Sequence, residues 1–210
     1  MRVLSVNVGM PREVLWQGET VRTGIFKRPV AGTIALRQLN FNGDAQADLT
    51  VHGGPDKAVY AYPSEHYPGW EEKVGRKLPP AAFGENLTTE GMLENQVHIG
   101  DEFRIGTARL VITQPRMPCY KLGIRFNDPS MVKTFHKAGL PGIYFAVVEE
   151  GEVTAGDSIE LVHADPRQVT VTDMLALMFT RNPPESELQR ILLIPRLAAV
   201  WREEFEDRLG

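Results

Sequence analysis

Val97-His98-Ile99-Gly100-Asp101-Glu102-Phe103-Arg104-Ile105 is echoed by Val153-Thr154-Ala155-Gly156-Asp157-Ser158-Ile159-Glu160-Leu161. Each copy places Gly-Asp between a short lead and a strand of alternating apolar and polar residues. Glycine supplies the positive φ of a tight turn, and the aspartate side chain can close that turn on its own backbone. Two copies imply similar turns in one barrel-like sheet and not a solenoid, which needs more repeats. Working outward, Gly32–Arg37, Lys57–Tyr62, Arg109–Thr113 and Gly142–Val148 are short and β-prone. The start, Met1 to Gly9, alternates in the same way and reads as a first strand. The fold class is therefore mostly β with helices (α+β): a β-barrel-like domain over residues 1–165 and a three-helix extension over residues 166–210.

Two helices are expected within the β-rich part. Ser64 can cap one carrying Tyr67, Trp70 and Val74 at spacings of three and four. Asp128-Pro129 opens the other as N-cap and first helical residue, with Met131 and Phe135 inward and Gly139 as its stop. After Pro166 the apolar period becomes helical. Helices are expected from about Thr172 to Phe179, from Glu185 to Ile194, and from Pro195 through Phe205. So short an extension cannot bury a core alone and should pack on the sheet domain. It holds six arginines against seven acids, the wrong electrostatic footprint for a DNA-binding helix pair.

The chain has 210 residues and a net charge of -4, which argues against general nucleic-acid affinity. No apolar run approaches the roughly 20 residues that span a bilayer, and the first residues are too briefly apolar for a signal peptide. A cytoplasmic protein with no membrane partner is expected. The single cysteine permits no internal disulfide and no iron–sulfur cluster held within the chain. No dinucleotide or phosphate-loop fingerprint is present, so redox chemistry here would draw electrons from another protein or a soluble reductant.

Three segments can carry chemistry. Cys119 lies in Gln114-Pro115-Arg116-Met117-Pro118-Cys119-Tyr120-Lys121, at the end of a strand and between two cations. Arg116 and Lys121 would favour the thiolate, which attacks electrophiles and binds metals; a free cysteine is otherwise a small buried hydrophobe. Asp44 to Lys57 ends in Val51-His52-Gly53-Gly54-Pro55-Asp56-Lys57, where Gly53 and Gly54 expose backbone N–H groups to an anion and His52 and Lys57 add donors. The alternative is a hairpin loop whose acids bond its own backbone. In Gly84-Glu85-Asn86-Leu87, Asn86 can both donate and accept, as reading a heterocycle edge requires. The remaining histidines form no zinc spacing, and His66 and His136 read as solvated helix-surface residues.

Together these segments resemble the MOSC family, the molybdenum-cofactor sulfurase C-terminal domain. The resemblance rests on Gly43-Asp44 through Val59, Gly84 to Leu87, Ile99-Gly100-Asp101, and Pro115 to Lys121. The final helices look like the extension of stand-alone bacterial YiiM-type members, linked to 6-N-hydroxylaminopurine resistance. The resemblance implies a barrel-like domain that holds molybdenum cofactor, with Cys119 as metal ligand and catalytic residue. His52, Gly53, Gly54, Lys57, Asn86 and Arg116 are then the candidates for binding the pterin and its phosphate. It also implies reduction of small N-hydroxylated compounds to amines, as in the mitochondrial amidoxime-reducing component. A separate flavoprotein or other electron-transfer reductase would feed the reaction. The C-terminal helices, where Arg181, Arg190 and Arg202 stand among acids, are either its docking surface or a cover for an exposed sheet edge. The alternatives are a carrier of the cofactor or of sulfur without turnover, and a cysteine hydrolase with His52 as base.

Overall fold

A computed structural model describes residues 1–48 and 53–210. The strands are β1 (Arg2–Val8), β2 (Arg12–Trp16), β3 (Glu19–Thr23), β4 (Arg28–Pro29), β5 (Ile34–Leu36), β6 (Val59–Pro63), β7 (Leu87–Glu90), β8 (Glu102–Ile105), β9 (Ala108–Pro115), β10 (Ile143–Glu149), β11 (Gly151–Val153) and β12 (Ile159–His163). The helices are α1 (Tyr67–Val74), α2 (Tyr120–Phe126), α3 (Met131–Ala138), α4 (Val171–Phe179), α5 (Glu185–Leu192) and α6 (Ala199–Asp207). Eight strands form one sheet in the order β12-β8-β9-β10-β6-β7-β1-β4. All its pairs are antiparallel except β6 with β7.

The sheet rolls back on itself. The start of β1 meets the segment leading into β12: Val3 N–H donates to Asp157 O at 2.9 Å, Gly156 N–H to Val3 O at 2.8 Å, and Ile159 N–H to Met1 O at 2.9 Å. Closure of this kind leaves few unpaired backbone groups at the edges. Two small ribbons, β2–β3 and β5–β11, sit outside the main sheet.

The two Gly-Asp turns share one geometry. Gly100 and Gly156 have φ of 90° and 101°, in the region that favours glycine. Asp101 accepts from His98 N–H at 3.0 Å, and Asp157 accepts from Thr154 N–H at 2.7 Å. The strands that follow them, β8 and β12, pair with each other. Asp101 does more than its twin: its second oxygen accepts Asp165 N–H at 2.8 Å, tying the turn to the segment that enters the helical extension. Asp101→Ala should therefore cost about 1–3 kcal/mol in urea unfolding, since it leaves buried donors unpaired. A loss indistinguishable from that of an exposed substitution would contradict this reading.

The C-terminal helices belong to the same core as the sheet. Val171, Met174, Leu188, Ile191 and Phe205 are buried in one cluster with Val6, Phe103, Leu110, Ile112 and Phe145. A capping box between Thr170 and Asp173 starts α4. Arg202 is an internal clamp, donating to Leu192 O and Ile194 O at 2.8 and 2.6 Å, whereas Arg190 pairs with Glu187 at 2.6 Å on the exposed side of α5.

Several local expectations are corrected. Ser64 does not cap α1; it opens a short 3-10 turn, and His66 is the N-cap. Asp128 caps a turn through Ser130 N–H at 2.9 Å, so α3 starts at Met131. The last helix begins at Ala199 and not at Pro195. His66 is not solvated: its Nε2 lies 2.7 Å from Glu94 Oε2, with its side chain 11% exposed.

Candidate functional site

Strand β9 delivers the site. Its last residue, Pro115, pairs with Ile143 at the start of β10. Arg116-Met117-Pro118 then crosses to Cys119, the residue before α2, in extended conformation. Leu122 N–H is taken by the Cys119 carbonyl at 2.9 Å, and the thiol makes no capping bond. Backbone therefore closes this helix start, and the half-buried thiol is left for other chemistry.

Arg116 is 5% exposed. Its guanidinium lies over the Tyr60 ring at 4.9 Å and the Phe135 ring at 5.3 Å, and donates a long bond of 3.5 Å to the Tyr60 hydroxyl. Burial pulls its pKa down, but Tyr60, Tyr144 and Cys119 around it more than offset this, and the group stays a cation. Among the described residues no carboxylate lies within ion-pair distance of it, nor of Lys121, which is also buried. Burial raises the pKa of Tyr60 and Tyr144, so both keep their hydroxyl protons; Tyr60 donates its own to Pro141 O at 2.9 Å. The two tyrosines face each other across the β6–β10 pair, with ring centroids 5.3 Å apart.

The opposite wall is a buried polar knot. Lys27 pairs with Asp44, and Asp44 also accepts from Gly9 N–H and Asn86 Nδ2, both at 2.9 Å. Burial lowers the Lys27 pKa, and Asp44 holds it up. Asn86 donates again to Asn7 O at 3.3 Å and accepts Tyr60 N–H at 3.2 Å. Beside it Glu85 accepts from Ala81 N–H, Phe83 N–H, Thr88 Oγ1 and the Tyr67 hydroxyl. Burial pushes its carboxyl up and these donors oppose the shift. The Gly84–Leu87 motif is thus chiefly a brace that joins β1, β6 and β7.

Between these walls runs a cleft lined by Lys57, Asn86, Arg116 and Cys119, with Lys27, Lys121, Tyr60 and Tyr144 beside them. Four of the residues expected from sequence are brought together here. Asn86 reaches the cleft with its amide already engaged inside the protein. Gly53 and Gly54 are not among the described residues that line it. Gly54, at φ 91°, instead starts the 3-10 turn Pro55–Lys57, with Lys57 N–H on its carbonyl at 3.1 Å, and this turn presents Lys57. Burial lowers the Lys57 pKa, against the pull of Asp56. His52 lies outside the described residues.

Lys27, Tyr60 and Tyr144 are site residues that sequence reasoning missed. Tyr60 and Tyr144 fall in strands whose apolar runs give no alternation, so no face could be assigned to them. Lys27 sits in an irregular segment with no local pattern. Among the described residues no three or more His, Cys, Asp and Glu side chains are grouped to hold a metal, so Cys119 stands as a single soft donor. No helix among them is long and apolar enough to cross a membrane.

The MOSC domain family matches residues 48–160, and the YiiM-like 3-alpha helix domain matches residues 169–209. The YflK protein of Bacillus subtilis (strain 168) is 43% identical over 99% of this chain and 95% of its own length. A protein of Gibberella moniliformis (strain M3125 / FGSC 7600) named "Reductase" is 30% identical over 86% of this chain, which corresponds to 32% of that longer protein. The crystal structure of YiiM from Geobacillus stearothermophilus superposes with a TM-score of 0.83 at 33% identity, covering 100% of this chain and 99% of that one. The barrel-like domain and the three helices packed on it are therefore those of a MOSC-family protein of the YiiM type.

Proposed function

We propose that this protein is a molybdenum-cofactor-dependent reductase of N-hydroxylated bases and related N-oxygenated compounds. The observation that carries the reading is the pairing of a half-buried, uncapped thiol at Cys119 with a buried guanidinium at Arg116 that, among the described residues, has no carboxylate within ion-pair distance. A thiolate is a soft ligand suited to this metal class, and an uncompensated buried cation calls for an anion. The donor set fits the cofactor: Cys119 would hold its metal, and Arg116, Lys121 and Lys57 its phosphate and pterin oxygens. When bound, the cofactor supplies the two electrons that break the N–O bond, giving amine and water with two protons.

The chain's own residues have separable tasks. Arg116 is fixed by the Tyr60 and Phe135 rings, so its charge is pre-oriented toward the cleft. Asp44 and Asn86 hold the opposite wall at a fixed distance from β6. Tyr60 and Tyr144 line the same cleft as Cys119 and keep their hydroxyl protons there. The relative named a reductase supports an oxidoreductase reading in general terms. The cytoplasmic setting and a flavoprotein partner belong to the proposal as well.

The test is donor dependence. Cofactor-loaded protein with NADPH alone should not reduce an N-hydroxylated purine, whereas adding a flavoprotein reductase or an artificial one-electron donor should start turnover. Turnover with NADPH alone would refute the external-donor part. Tight cofactor binding with no turnover under any donor would favour the carrier reading.

A further inference from the structure

We propose that the C-terminal helical domain builds the substrate pocket, with Trp201 as the platform for a planar aromatic N-hydroxylated compound; this rests on the reductase reading above. A second cavity, of about 310 Å³, shares Lys57, Met117, Cys119 and Tyr144 with the cationic cleft. Its other walls include Pro115 and Pro118 from the Cys119 loop and Val200 and Trp201 from α6. The volume lies in the range of small-molecule sites. The two cavities differ in character. Arg116, Lys121 and Lys27 line only the first, while the second has Lys57 as its one charged residue among those described. An anionic cofactor suits the first, and a neutral, flat, largely apolar molecule suits the second, with Cys119 common to both.

Trp201 is held as a fixed surface. Its Nε1–H donates to Gln114 Oε1 at 2.8 Å, and Gln114 is 2% exposed at the end of β9. The start of α6 is anchored by Asp56, whose Oδ2 accepts Ala199 N–H at 3.0 Å. Asp56 directly precedes Lys57, so the loop that serves the cleft also seats the helix that walls the second cavity. A pre-oriented indole loses little freedom when a ring stacks on it, which favours aromatic over aliphatic substrates.

The experiment compares an N-hydroxylated purine with hydroxylamine itself, both reduced by the cofactor-loaded full chain with an artificial donor. Trp201→Ala should lower the purine-to-hydroxylamine ratio of kcat/KM about tenfold, the scale of one base–aromatic stack, mainly through KM. Trp201→Phe should restore most of the ratio. Val200→Trp, at a position 53% exposed and so tolerant of bulk, should fill the cavity and cause the same selective loss. An unchanged ratio in both Trp201→Ala and Val200→Trp would overturn the proposal. If the wild-type protein reduces neither compound, the reductase reading fails, and equilibrium dialysis of the same purine with cofactor-free protein decides the pocket. Binding weakened about tenfold by Trp201→Ala supports it; binding that is absent, or indifferent to Trp201, overturns it.

Discussion

Replacing Cys119 with serine is expected to reduce the donor-driven rate on N-hydroxylated compounds by more than about 100-fold, while the protein melts as the wild type does. The magnitude follows because partners one step removed from a metal already cost 10–100-fold when mutated, so the ligand itself should cost more. A hydroxyl is a harder and far more basic donor than a thiol and does not replace it toward a soft site. The fold should be indifferent to the change, since the helix start at this position is closed by the Cys119 carbonyl on Leu122 N–H and the thiol caps nothing. Rates with an artificial donor, measured alongside a thermal melt, check both halves. A well-folded Cys119→Ser protein with full activity would remove the assignment of Cys119.

Asp44→Ala should be the most destabilising single change at the site, by about 3–5 kcal/mol in urea unfolding. The Lys27 side chain is 9% exposed and that of Asp44 is fully buried, so truncation leaves a buried charge unpaired. It also strips an acceptor from Gly9 N–H and from Asn86 Nδ2, which in turn loosens the amide that accepts Tyr60 N–H. The penalty comes from the orphaned groups and not from the net worth of the pair. Lys27→Met with Asp44→Leu should therefore recover only the part due to the unpaired Lys27 charge, because apolar residues can replace a buried ion pair at little cost while Gly9 N–H and Asn86 Nδ2 still lack their acceptor. A loss for Asp44→Ala below about 1 kcal/mol, the scale of an exposed pair, would show that water reaches Lys27 in the folded protein.

The barrel was legible where the signal is local. Gly100 and Gly156 must hold positive φ, and Asp101 and Asp157 must close their own turns, so four residues in each echo carry the geometry without outside help. What the sequence could not show is that the strands after these turns pair with each other, or that β1 closes the sheet against residues 156–159, because register is set by the whole core. Helix existence was more legible than helix ends. Asp128 and Pro195 look like starts, yet Asp128 is used in a turn through Ser130 and Pro195 precedes α6 by several residues. The short α2 escaped because glycine and the mixed run Tyr120 to Phe126 give no apolar stripe, and tertiary packing decides it.

At the site, Cys119, Arg116 and Lys57 were readable from residue type and neighbours, and the structure brings them to one cleft. Asn86 was readable as a polar residue in a turn, but its internal bonds to Asn7, Asp44 and Tyr60 depend on three distant segments. Lys27 carries no pattern at all; only the fold shows that Asp44 reaches it. His66 reads as a surface histidine on a helix, and its burial against Glu94 depends on where the segment after β7 returns.

The central claim is that Cys119 and the cationic cleft hold molybdenum cofactor, and molybdenum and pterin content is its most direct measurement. The full chain should be purified from a host that makes the cofactor and loads a control molybdoenzyme. Wild-type protein should carry molybdenum and pterin in equal amounts, and Cys119→Ser protein from the same host should have lost the metal. Wild-type protein free of both, while the control enzyme from the same cells is filled, would contradict the account.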